Sequence, residues 1–194
     1  MNEYPEFHLT ILNPTRIPKI TSTKKWTHKA IILGNSPSKL EDYNAVRQLR
    51  GYDIIAVNDA TAGTSIEPDG MVTMHCDTGT LNNKESALIP LSLFNEKCWI
   101  AGKTCNGDHA DRVDALFDGE WIWGCSSQAA ALVALHLGYR DVILAGCTHR
   151  PETGYGSESK LRSWSKWKDL MRGRVRAVNS YLSEAGIVEA YKRR

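Results

Sequence analysis

The chain has 194 residues, 42% of them hydrophobic and 24% charged, and a formal net charge of +2 at pH 7. Those values fit an ordinary folded protein of about one domain with a core of its own, and the near-balanced charge selects no class of partner. No run approaches the roughly 18 consecutive apolar residues that cross a bilayer, so no membrane span is expected. The opening Met1-Asn-Glu-Tyr-Pro-Glu6 lacks the basic and apolar regions of a secretory signal. Cys76, Cys98, Cys105, Cys125 and Cys147 are odd in number, irregularly spaced and without a C-x-x-C. Free thiols and a cytoplasmic location are therefore expected.

Residues 1–28 hold three prolines and the basic pair Lys24-Lys25 without clear periodicity. They are expected to form an arm that packs on the domain or stays mobile. Residues 29–194 are expected to form a single domain. Its first strand is Ala30–Leu33, a short apolar run that leads into Gly34-Asn35-Ser36-Pro37-Ser38. A helical pattern follows over Lys39–Leu49. A polar loop between a buried strand and a helix puts free backbone N–H groups at the carboxyl edge of a sheet, where open α/β sheets bind phosphates and nucleotides.

Further strands are expected at Asp53–Val57, Met71–His75, Cys98–Ala101 and Val142–Ala145, with a weak one at Gly186–Ala190. Helical patterns lie at Asn83–Phe94, Ser127–Leu137 and Lys160–Ser183, and Gly102–Trp123 is expected to be irregular. Alternating strands and helices predict an α/β fold, a Rossmann-like domain with a mainly parallel sheet and helices on both faces. The helix near Ser126 is apolar nearly all round from Ala129 to Leu135, so it should be deeply buried. Ser126 or Ser127 is its expected N-cap, and Gly138 its stop. The hydroxyls and partial positive charge at its start suit an anionic ligand.

Three blocks now line up with a family pattern. Ile31 to Ser38 resembles the Gly-Asn-Gly-Pro-Ser loop of bacterial lipooligosaccharide sialyltransferases. It is similarly close to related Rossmann-like proteins, including motility-associated glycosyltransferase-like proteins and archaeal pterin pyrophosphokinases. Ile54 to Asp59 resembles their second strand, which ends in an Asn near the nucleotide. Cys125 to Gly146 resembles their Thr-Ser-Gly helix, Leu-Gly-Tyr turn and following strand. The resemblance spans residues 30–149 and implies a nucleotide-dependent transferase. In it Gly34, Asn35 and Ser36 line phosphate or ribose, Asn58 bonds the nucleotide, and Ser126 takes the place of the family's serine. Ser38, Asp59 and Ser127 flank those positions and complete the expected nucleotide-binding set. The chain departs from the pattern at Ser36, where the family has Gly, and at Thr148, where it has an acid. It has no His after His149, whereas the sialyltransferases carry a catalytic one further along.

Chemistry is expected at the strand ends. His149 is the expected general base, since a neutral imidazole takes a proton from an acceptor hydroxyl near pH 7. Asp77 is the alternative, and Thr148 and Tyr155 are expected to touch the substrate. His75, Cys76, Asp77, Cys147 and His149 are zinc-type ligands, but tight pairs such as C-x-x-C or H-E-x-x-H are absent, so no metal site is expected. Mg2+ is expected only in the company of a nucleotide's phosphates, and no tightly bound cofactor is expected. Cys125 and Cys147 read as buried thiols rather than nucleophiles. In Lys160–Arg176 seven basic residues surround Trp164 and Trp167. With Met171, Val175, Val178 and Leu182 those tryptophans form the apolar stripe of a packed helix, which is preferred to a nucleic-acid surface. The expected function is a nucleotide-sugar-dependent glycosyltransferase acting by direct displacement on a small-molecule or glycan acceptor. The alternatives are a pyrophosphokinase-type transferase and a nucleotide-binding module without turnover.

Overall fold

The alternation of side chains along the central strands sets the layers of the domain. In the strand Lys29–Leu33, Ala30 and Ile32 enter one hydrophobic cluster, while Ile31 and Leu33 enter another on the opposite face. Val142 and Leu144 likewise face the first cluster, and Ile143 and Ala145 the second. A strand buried on both faces needs helices on both, and in a parallel sheet the crossovers supply them.

The computed structural model describes residues 5–17, 28–74, 98–102, 113–120, 122, 125–153 and 156–192. Its strands are β1 (Phe7–Ile11), β2 (Lys29–Leu33), β3 (Asp53–Val57), β4 (Gly70–Thr73), β5 (Cys98–Gly102), β6 (Ala115–Gly119), β7 (Asp141–Ala145), β8 (Val175–Ala177) and β9 (Glu189–Ala190). They form one sheet in the order β1-β6-β5-β4-β3-β2-β7-β8-β9. Every neighbouring pair is parallel except β1 with β6. The helices are α1 (Lys39–Val46), α2 (Ser126–His136), α3 (Glu158–Lys166), α4 (Lys168–Met171) and α5 (Tyr181–Glu184). Val46 of α1 packs in one cluster, while α2, Trp164 of α3 and Met171 of α4 pack in the other. The fold is the expected Rossmann-like α/β domain. No helix among the described residues is long and apolar enough to cross a membrane.

Residues 7–11 of the expected arm pack on the domain as an antiparallel edge strand, in register from Phe7 opposite Gly119 to Ile11 opposite Ala115. Three local expectations are corrected. The stretch expected to be irregular contains β6, whose Ala115 and Phe117 are buried. The helix expected over Lys160–Ser183 is α3, α4, β8 and α5 instead. Trp167 leaves helical geometry at φ −102, Arg172 is extended, and Gly173 turns the chain at φ +68. The apolar stripe is nonetheless buried: Trp164, Trp167, Met171, Val175 and Leu182 enter the larger cluster, and Val178 the cluster on the opposite face of the sheet. The N-cap of α2 is Cys125, with no side-chain capping bond, because helical bonding already begins at the Cys125 carbonyl, which accepts the Ala129 N–H. The expected helix at Asn83–Phe94 lies outside the described residues.

The amino edge of the sheet is closed by side chains. Asp141 accepts hydrogen bonds from Tyr52 and Arg176. Burial and the neighbouring Asp141 carboxylate push the Tyr52 phenol well above its ordinary range.

Candidate functional site

The order of strands fixes where a site can form. From β2 the chain steps outward through β3, β4, β5 and β6, then returns to add β7 on the other side of β2. The loops that follow β2 and β7 therefore stand at a topological switch point, the place at the carboxyl ends of the strands where open α/β sheets bind ligands.

The two loops are fastened to each other. The Gly34 N–H donates to the Ala145 carbonyl at 2.8 Å, and the Ser36 N–H to the Gly146 carbonyl at 3.0 Å. Gly34 has no room for a side chain, since a Cβ would lie 2.4 Å from the Gly146 carbonyl oxygen and 2.6 Å from Cys147 Sγ. Gly146 answers at φ +65, where a Cβ would come within 2.6 Å of the Gly34 carbonyl oxygen. The close approach that Gly34 permits is thus to the neighbouring loop. Gly34→Ala should lose about 1–3 kcal/mol through overpacking, measurable by urea unfolding. An unchanged midpoint would contradict that contact. Larger residues at 34 should disturb the seam further.

Beside this seam a polar network joins the loops after β2 and β3. Asn35 Nδ2 donates to Asp59 Oδ1 at 3.1 Å, and Lys39 Nζ donates to Asn35 Oδ1 at 2.8 Å and to the Ala60 carbonyl at 2.9 Å. The ammonium thus rests on neutral oxygens at the carboxyl edge. Asn58 stands at φ +52, with its N–H bonded to the Val72 carbonyl and its buried Oδ1 without a partner among the described residues.

Below the loops lies Asp42, fully buried in α1. Its Oδ2 accepts from Ser38 Oγ and from the Gly146 N–H, each at 3.0 Å, and its Oδ1 accepts from Asn179 Nδ2 at 2.9 Å. Ser36 Oγ lies 3.1 Å from Ser38 Oγ. One carboxylate therefore ties together the loops that follow β2, β7 and β8.

On the other side of β7 the start of α2 meets His149. Ser127 Oγ is 2.9 Å from His149 Nε2 and 3.3 Å from Cys125 Sγ. His149 is 4% exposed, with its backbone at φ +50, and its ring packs edge-on against Trp164 at 5.3 Å. Burial raises the Cys147 thiol far above its usual range, so it stays protonated. Ser126 is half-buried beside this pair, and the Thr148 carbonyl accepts the Tyr181 N–H at 2.8 Å.

Of the residues expected from sequence, Gly34, Asn35, Ser36, Ser38, Asn58 and Asp59 follow β2 and β3, while Ser126, Ser127, Thr148 and His149 gather beside β7. Asp77 and Tyr155 lie outside the described residues, as do His75 and Cys76. Among the described residues no group of three or more His, Cys, Asp or Glu is placed to hold a metal ion. Lys39, Asp42 and Asn179 went unnoticed in the sequence. Lys39 and Asp42 carried one signal, a cation and an acid on one face of the helix that opens directly after the glycine loop. Compared with known proteins, the chain matches no family model, no curated protein and no solved structure.

Proposed function

We propose that the protein is a nucleotide-dependent transferase that takes a nucleotide sugar as donor. The observation that carries this is the switch point between β2 and β7, whose carboxyl end has the Lys39 ammonium in the helix after β2 and the first turn of α2 in the helix before β7. A phosphate bound there meets a positive side chain and the unpaired N–H groups of a helix start. Asn35, Asn58 and Asp59 offer both donors and acceptors to a ribose or a base edge. In the reaction the acceptor hydroxyl attacks the anomeric carbon of the donor and the bond to the nucleotide phosphate breaks. The hydroxyl proton passes to His149 Nε2 once Ser127 turns aside, and Lys39 with the α2 amides receives the charge on the leaving phosphate.

Hydrolysis of CMP-, UDP- and GDP-sugars, followed by release of the nucleotide, tests the reaction. His149→Ala should lower turnover by roughly 10²–10⁴-fold with nucleotide affinity nearly unchanged. Full activity in His149→Ala, with loss in Asp77→Asn, would move the base to Asp77. The burial of His149 favours one other reading, a binding module without turnover, which predicts nucleotide binding with no donor consumed.

A further inference from the structure

The Ser127–His149 contact has the geometry of an activated nucleophile: a hydroxyl within hydrogen-bond reach of an imidazole, in the first turn of a helix. Two fully buried donors on residues flanking the pair have no hydrogen-bond partner among the described residues. They are Gln128 Nε2, next to Ser127 in α2, and Trp164 Nε1, whose ring packs on His149. The Gln128 oxygen is held by Ser163 Oγ at 2.8 Å, which fixes the amide and leaves its N–H group to seek an acceptor. Buried donors are paired as a rule, and an orphan calls for an oxygen that arrives from outside. His149 also holds a left-handed backbone at the strand end, the kind of strain that collects at functional sites.

We propose that Ser127 is a nucleophile activated by His149, and that this pair transfers acyl groups from ester substrates. Ser127 Oγ attacks the ester carbonyl carbon while its proton moves to His149 Nε2. The carbonyl oxygen, now negative, accepts hydrogen bonds from Gln128 Nε2, Trp164 Nε1 and the first-turn amides of α2. Collapse breaks the bond to the alcohol, which departs with the proton from His149. Water or a second alcohol then attacks the acyl-serine, with His149 again taking the proton, and the bond to Ser127 Oγ breaks as His149 returns that proton to the serine and the acid or new ester departs. The proposal shares His149 and the start of α2 with the nucleotide reading but requires neither Lys39 nor a nucleotide.

The test treats the full chain with a fluorophosphonate, in which Ser127 Oγ displaces fluoride from phosphorus, and locates the adduct by peptide mass. In parallel, p-nitrophenyl acetate hydrolysis is measured. A single adduct on Ser127 is expected, formed roughly 10³-fold more slowly or worse in His149→Gln, with ester hydrolysis abolished in Ser127→Ala. Trp164→Phe, which keeps the ring but removes the N–H, should slow acylation at least about tenfold. No adduct on the folded wild type, an adduct elsewhere, or hydrolysis unchanged in Ser127→Ala would overturn the proposal. None of these outcomes depends on whether the protein binds a nucleotide.

Discussion

Asp42→Ala should lower the stability of the protein by about 3–5 kcal/mol, the summed loss of hydrogen bonds made to a buried charged group. The side chain is fully buried and is met only by donors in the bonds described here: the Ser38 hydroxyl, the Gly146 N–H and the Asn179 amide. A carboxylate suits such a place because it only accepts. Asp42→Ala strands the Gly146 N–H and the Asn179 amide, in the loops after β7 and β8. Asp42→Asn keeps the volume but turns an NH2 towards a donor, and should lose about 1–3 kcal/mol. Urea unfolding with an unchanged m-value measures both. A neutral Asp42→Asn would mean that the carboxylate does not pin the loops.

Trp164→Ala should be of similar size, about 3–5 kcal/mol, and Trp167→Ala likewise, because both rings are buried in the larger cluster. Trp167 meets Phe7 of the edge strand edge-on at 6.2 Å, so its loss should loosen β1 as well. The exposed charges of the same segment behave differently. Replacing Lys166 and Lys168 together should change stability by no more than about 0.5 kcal/mol. Equal destabilisation by the tryptophan and lysine changes would show that the segment is not packed on the sheet. Tight, salt-sensitive DNA binding lost in the lysine variant would make it a nucleic-acid surface.

The central sheet was legible because its strands announce themselves. Asp53–Val57 has the expected limits, and β2 and β7 each extend one residue earlier than expected. Apolar runs bounded by turn residues have few other uses in a chain of this composition. The edges were less legible. β1 has mostly exposed side chains and one antiparallel partner far along the chain, and β9, inside the weak strand expected at Gly186–Ala190, is two residues long with both side chains exposed. Neither leaves the apolar mark of a strand buried on both faces. The region after Lys160 misled for another reason: a period of three and four does not distinguish one long helix from a run of short buried elements. The glycine loop and the start of α2 were visible as separate signals. Their fastening was not, because Gly34 with Gly146 and Asp42 with Asn179 are contacts between distant segments. Nor does any local pattern predict Ser127 against His149, since that pair depends on the crossover that brings β7 beside β2.

The claim that the switch point holds a phosphate-bearing nucleotide is tested most directly by ligand binding to the wild type and to Lys39→Met. CMP, UDP, GDP and ATP are each added well above their dissociation constants and the thermal midpoint is followed. At 100 times the dissociation constant a ligand adds about 2.7 kcal/mol, which for a chain of this size raises the midpoint by about 5–10 °C. The account predicts that at least one of the four produces such a shift. It predicts that Lys39→Met, which removes the cation at the edge while keeping the helical stem, unfolds near the wild-type midpoint and loses most of that shift. No shift with any of the four, or a shift undiminished in Lys39→Met, would contradict it.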